Sequence, residues 1–248
     1  MRVAGRMVAH CLLVERPEGL LLVDTGLGTD DIADPGRLGA PWRALSRPVL
    51  APAETAIAQI RALGHDPADV TDIVLTHMDL DHTGGIPDFP GARVHVSATE
   101  LDAATHPRLT ERGRYLPAQW AHGPQWVQHG DGGDDWFGFR SVRALGDDVV
   151  LVPLHGHSRG HQGVAVARPG GGWIFHAGDS YFFTGDKERP RDCPRNLRVI
   201  QTLFAADNKR RLANLERVQE LYAAHGDELT MFCAHDASEL DALQLKQG

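Results

Sequence analysis

Four side chains able to bind a metal fall within six residues of one another: His77, Asp79, Asp81 and His82, in the run Thr76-His77-Met78-Asp79-Leu80-Asp81-His82-Thr83-Gly84-Gly85. Imidazole nitrogen and carboxylate oxygen are the donors of zinc, manganese and iron sites. Histidine is also the usual proton shuttle near neutral pH. Three later segments carry the same residue types: Leu154-His155-Gly156-His157-Ser158-Arg159-Gly160-His161, His176-Ala177-Gly178-Asp179 and Ala234-His235-Asp236. A set of this kind suits metal-assisted hydrolysis.

Each cluster follows a short apolar run, so strand ends are expected to position the donors. Apolar runs at 2–14 and 19–24, joined by Arg16-Pro17-Glu18-Gly19, read as a hairpin, and the second run ends at Asp24-Thr25-Gly26. Further strands are expected at 72–76, 93–96, 149–152, 164–166, 173–175 and 229–233. Helical spacing marks 55–63, 98–104, 208–224 and 237–245. The stretches 27–53 and 181–207 read as irregular. Residues 105–140 hold Tyr115, Trp120, Trp126, Trp136, Phe137 and Phe139 among Gly, Pro and His, and read as an insertion or lid. Its tryptophans either wall an apolar pocket or form the segment's own core. Strands with interspersed helices predict one layered α/β domain over 1–248.

Composition narrows the function classes. At 42% hydrophobic and 23% charged, the chain has enough apolar material to fold. A net charge of −8 argues against a nucleic-acid partner, which needs a basic face. The run Lys209-Arg210-Arg211 reads as a solvated helix face. No apolar stretch is long enough for a membrane helix. The opening residues lack a continuous apolar stretch of the signal-peptide kind. Three cysteines without CxxC spacing fit neither a disulfide framework nor a thiolate site. A cytoplasmic enzyme with a small-molecule substrate is expected.

In order, Asp24-Thr25-Gly26, the His77–His82 run, Gly156-His157…His161, Gly178-Asp179 and His235 resemble the landmarks of the metallo-β-lactamase-fold hydrolases. The resemblance spans nearly the whole chain and is closest in plan to the quorum-quenching lactonase branch. It implies an α/β fold: a four-layer αββα sandwich of two mixed β-sheets flanked by helices. It further implies one metal site from His77, Asp79 and His157, and a second from Asp81, His82 and His235, with Asp179 bridging. His157 is preferred over His155 because Gly156-His157-Ser158-Arg159-Gly160-His161 matches the family's Gly-His-Thr-Pro-Gly-His spacing; His161 is then a supporting residue. The implied cofactor is two divalent ions, zinc first. The implied reaction is attack of a metal-bridging hydroxide on an ester, lactone or related carbonyl, with Asp81 assisting departure of the alkoxide. Tyr181 is the implied oxyanion donor, and Asp24 the carboxylate that orients a ligand histidine.

One position departs from the pattern. Asp79 stands where the family has histidine, which hardens the site toward iron or manganese. It also brings to three the carboxylates expected at the ions: Asp79, Asp81 and Asp179. A non-haem iron or diiron oxidoreductase on the same fold is therefore the alternative enzyme. A degenerate, non-catalytic binding domain is the other alternative, and would predict lost ligands.

Overall fold

In the computed structural model, which describes residues 6–245, the chain divides into two compact units. One comprises Cys11–Val96 and Leu101–Gln128; the other holds the remaining described residues. Residues 2–5 of the expected opening strand lie outside the described residues.

The first unit carries β1 (Leu12–Arg16), β2 (Gly19–Val23), α1 (Thr29–Ala33), α2 (Ala40–Ser46), α3 (Ala56–Ala62), β3 (Val70–Val74), α4 (Leu80–Thr83) and most of β4 (Arg93–Ser97), α5 (Ala98–Thr105) and β5 (Gln125–His129), while Ser97–Glu100 and His129 belong to the second unit. Its sheet runs β1-β2-β3-β4-β5. The expected hairpin forms, with Leu12 opposite Val23 and Arg16 opposite Gly19. β2, β3 and β4 are parallel neighbours. Parallel strands are covered on both faces, so they read as continuous apolar runs rather than alternating ones. Leu20, Leu22, Ile73, Val94 and Val96 accordingly enter one core with Ile60 of α3. Because β2 and β3 run the same way, both end on one edge. The backbone N–H of Asp24 donates to the Val74 carbonyl at 3.0 Å, so Asp24 emerges beside Thr76 and His77.

The second unit carries β6 (Asp134–Trp136), β7 (Phe139–Arg143), β8 (Val149–Pro153), β9 (Gln162–Ala167), β10 (Trp173–His176), α6 (Arg195–Phe204), α7 (Asn208–His225), β11 (Leu229–Phe232) and α8 (Ala237–Gln244). Its sheet runs β11-β10-β9-β8-β7-β6. β10 and β11 are parallel, while β9 is antiparallel to both β8 and β10. β8, β10 and β11 therefore share a direction and finish on one edge. The segments bearing His157, Asp179 and His235 all leave from there. α7 buries Leu215, Val218 and Leu221 in this unit's core, as its helical stripe requires.

Both sheets are mixed and both units carry helices, as the expected fold class requires. The lid expected over 105–140 needs correction. Its second half is strand: β5 closes one sheet, and β6 and β7 the edge of the other. Trp120 and Trp126 pack on the first unit's core. Trp136 lies in the second core, edge-on to Trp173 at 5.6 Å. Burial of aromatic area, rather than the walls of a pocket, accounts for these rings. The stretches read as irregular also contain helices: α1 and α2 within 27–53, and α6 within 181–207. No helix among the described residues is long and apolar enough to cross a membrane.

Candidate metal centre

In the first unit the donor cluster sits on the loop that leaves β3. Asp24 anchors it. Its carboxylate accepts from the Thr76 backbone N–H (2.8 Å) and the Thr76 hydroxyl (2.7 Å), and pairs with His82 Nδ1 (2.9 Å). A carboxylate only accepts, so His82 carries its proton on Nδ1. The Thr76 hydroxyl has spent its one proton on Asp24, so it accepts from His77 Nδ1 at 3.0 Å. Both rings are thereby fixed in the Nδ1–H tautomer, one directly and one through a hydroxyl. The lone pairs are left on Nε2, as metal-ligating histidines require.

Backbone contacts lock this arrangement. Thr25 Oγ1 donates to the His82 carbonyl (2.8 Å) and accepts from the Gly85 N–H (3.0 Å). A methyl group on Gly28 would collide with the Gly84 carbonyl, and one on Gly84 would lie 2.7 Å from the Gly26 carbonyl. The glycines therefore let the Asp24 loop and the His82 loop touch backbone to backbone. Asp24 itself adopts φ 57°, the left-handed region that Asn and Asp tolerate best.

Within this unit His77 Nε2 lies 3.4 Å from Asp79 Oδ2. Two ligands at roughly 2.05 Å on one tetrahedral ion are separated by about 3.3–3.4 Å. A ligand atom of His77 lies within 4.8 Å of one of His82, and likewise for Asp81 and His82. Asp81 is partly exposed, whereas both histidines are buried.

The second unit contributes a separate cluster. Asp179 Oδ2 lies 3.3 Å from His157 Nε2 and 3.1 Å from His235 Nε2. His235 donates its Nδ1 proton to the Val8 carbonyl at 2.7 Å, which turns its Nε2 toward Asp179 Oδ2. A lone pair and a carboxylate oxygen at 3.1 Å repel unless a cation, either a second ring proton or a metal ion, sits between them. The donor set therefore fits a divalent ion. His161 has no such role. Its Nδ1 donates to the Leu154 carbonyl (3.0 Å), and its Nε2 accepts the Asp179 backbone N–H (2.8 Å). It holds Asp179 by the main chain. Glu100 holds the His157 loop, accepting from Ser158 Oγ (2.7 Å) and the Gly160 N–H (2.8 Å). His155, the other candidate in that loop, is buried against Asp131 at 3.0 Å. Burial holds its imidazole below the usual value, with the Asp131 carboxylate opposing.

Tyr181 departs from expectation. It is fully buried, and its hydroxyl donates to the Glu239 carboxylate at 3.2 Å. Glu239 also accepts from the Cys233 N–H (2.8 Å) and from Lys187. Burial, followed by the Glu239 charge, pushes the phenol well above its ordinary value. Tyr181 thus ties the loop after Asp179 to α8 and is not an available oxyanion donor. Tyr181→Phe is expected to change kcat/KM by less than about 3-fold. The lost hydrogen bond should cost about 1 kcal/mol, or roughly 2–4 °C in melting temperature. A fall in kcat/KM of about 100-fold or more without loss of stability would restore the donor role.

Arg114 is the residue that the sequence reading missed. It grips Asp79 with both arms of its guanidinium, Nη2 lying 2.7 Å from Oδ2 and Nε bonding Oδ1.

Residues 4–235 match the family model described as the Metallo-beta-lactamase superfamily. A probable metallo-hydrolase of Mycobacterium tuberculosis is 46% identical over 234 residues, covering 93% of this chain and 75% of the relative. An N-acyl homoserine lactonase of Azorhizobium caulinodans is 32% identical over 166 residues, covering 64% of this chain and 60% of its own length. A solved N-acyl homoserine lactone hydrolase, with the product N-hexanoyl-L-homoserine at its catalytic metal centre, superimposes with a TM-score of 0.73. That match covers 95% of this chain and 84% of the other at 20% identity, a likeness of fold alone.

Proposed function

Because the chain belongs to the metallo-β-lactamase superfamily, we propose that it is a binuclear metal-dependent hydrolase acting on an ester, lactone or related carbonyl substrate. The superfamily match and the 46% identical relative support a metallo-hydrolase. The observation that carries the proposed metal centre is Asp179 Oδ2, placed 3.3 and 3.1 Å from the Nε2 atoms of His157 and His235. The residues that would hold the ions are His77, Asp79, Asp81, His82, His157, Asp179 and His235, with zinc, manganese or iron as candidates.

When bound, two divalent ions supply Lewis acidity toward a carbonyl and lower the pKa of water. The chain's own residues do the rest. Asp24 and Thr76 keep the Nδ1 protons of His77 and His82 in place, so neither ring can flip its tautomer. His161 and Glu100 fix the main chain on which Asp179 and His157 ride. Asp81, the partly exposed carboxylate, takes up the proton that the attacking water gives up and passes it to the departing alkoxide oxygen. Both units belong to one domain, a reading supported by the single family model that spans residues 4–235. Among the described residues Cys11, Cys193 and Cys233 form no disulfide, and a cytoplasmic place of action is part of this proposal.

The test is a substrate panel run on the metal-loaded protein: acyl homoserine lactones, aryl esters, thioesters and phosphodiesters. Turnover of a lactone or ester is expected, lost on chelation and regained with zinc or manganese. A protein that cleaves only phosphodiesters, or whose lactone turnover survives exhaustive chelation, would overturn the proposal.

A further inference from the structure

Asp79 and Arg114 are 35 residues apart in sequence, yet they form a two-bond, guanidinium–carboxylate fork. Both side chains are largely buried, at 15% and 11% exposure. The Arg114 carbonyl also accepts the backbone N–H of Leu80 at 3.2 Å, so the two segments are tied by main chain as well. A carboxylate offers about four lone-pair sites. Arg114 uses one on each oxygen of Asp79. Oδ2 retains capacity on its other side, where His77 Nε2 lies at 3.4 Å. Asp79 is therefore an oxygen donor held in place by a fixed counter-charge.

We infer that Asp79 and Arg114 act as one electrically neutral donor unit. Arg114 is the positioning residue. Its fork aims Oδ2 toward the His77 side and cancels the carboxylate charge. An ion at His77 then meets Asp79 as an oxygen donor whose negative charge is already cancelled. Planar bidentate geometry is what arginine supplies and lysine does not. This inference rests on the metal reading above and adds the control of charge at one of its donors.

The pair can be separated from mere packing by varying charge and shape independently. Zinc affinity is measured by competition with a chromophoric chelator, and the visible spectrum of the cobalt-substituted protein is recorded, for the wild type, D79H, D79H/R114Q and D79H/R114K. Circular dichroism checks that each variant folds. Histidine is a neutral donor, so D79H removes the carboxylate that faces Arg114 and leaves a guanidinium beside a cationic site. Its affinity for the ion at this position is expected to fall by about 10-fold or more. R114Q removes that charge, and the double variant should return to within about 3-fold of the wild type. D79H/R114K keeps the positive charge and should not recover. A single R114K variant, retaining Asp79, supplies a second measurement if D79H folds poorly. It keeps the charge and loses the fork, so its affinity should stay near the wild type while its cobalt spectrum changes. Equal weakness in D79H and D79H/R114Q, or recovery by D79H/R114K, would overturn the charge role. So would R114K binding far more weakly than the wild type. A wild type that binds no zinc or cobalt would instead remove the metal reading, and this inference with it.

Discussion

Replacing Asp179 with alanine is expected to strip most bound metal from the purified protein and to lower kcat/KM by about 10³-fold or more. The magnitude follows from losing several kcal/mol of charge stabilisation at a metal-assisted transition state, each 1.36 kcal/mol being tenfold in rate. Asp179 is the shared group of its unit, since its Oδ2 faces both His157 and His235. Without it the two histidines have no anionic donor between them. The fold should survive the change. The backbone N–H at 179 still donates to His161, and the network around Glu239 lies beyond the substituted side chain. Elemental analysis, kinetics and a thermal melt of the metal-free protein separate the two effects. Full metal content with unchanged kcat/KM would contradict the assignment.

Asp24→Asn is the second large effect expected, and it acts without touching an ion. Asparagine is nearly the same shape and tolerates the left-handed backbone at this position, so strain does not confuse the result. The change is chemical. Asp24 serves three donors: the Thr76 N–H, the Thr76 hydroxyl and His82 Nδ1–H. An amide has one acceptor oxygen, and its NH₂ meets donors that a carboxylate would accept. His82 loses its tautomer lock, and the Thr76 relay to His77 loses its terminus. Metal affinity or activity should drop by about 10–100-fold, the usual cost of removing an orienting partner. The buried donors left unmet should also cost about 1–3 kcal/mol of stability, at roughly 2–4 °C of melting temperature per kcal/mol. Metal titration of D24N by calorimetry, alongside a melt, checks both. Wild-type affinity in D24N would show that Asp24 only caps its loop.

The sequence made the donor segments legible for a physical reason. A buried parallel strand must be apolar throughout, so the abrupt change from Ile73-Val74-Leu75 to Thr76-His77 marks the sheet edge. The same contrast marks Asp24 after Val23 and His235 after Phe232-Cys233-Ala234. What stayed hidden depends on long-range pairing. Arg114 sits in a stretch without periodicity, and only the burial of a carboxylate at 79 hints that a cation must come from elsewhere. The strands β5 to β7 were obscured because Trp126, Trp136 and Phe139 lie among Gly, Pro and polar residues. α6 was readable in principle. Pro194 precedes Leu197, Ile200 and Phe204 at helical spacing, but the Pro- and charge-rich residues before it masked the start. Tyr181 shows the opposite error, since proximity in sequence to Asp179 said nothing about the direction of its side chain.

The most direct test is metal content per chain, by elemental analysis of protein purified without added metal and without a histidine tag. About two equivalents of zinc or manganese are expected, falling on dialysis against a chelator together with hydrolytic activity. One equivalent or none would contradict a binuclear centre. Iron with a redox-sensitive visible spectrum would contradict the hydrolase reading and make the protein an oxidoreductase on the same fold.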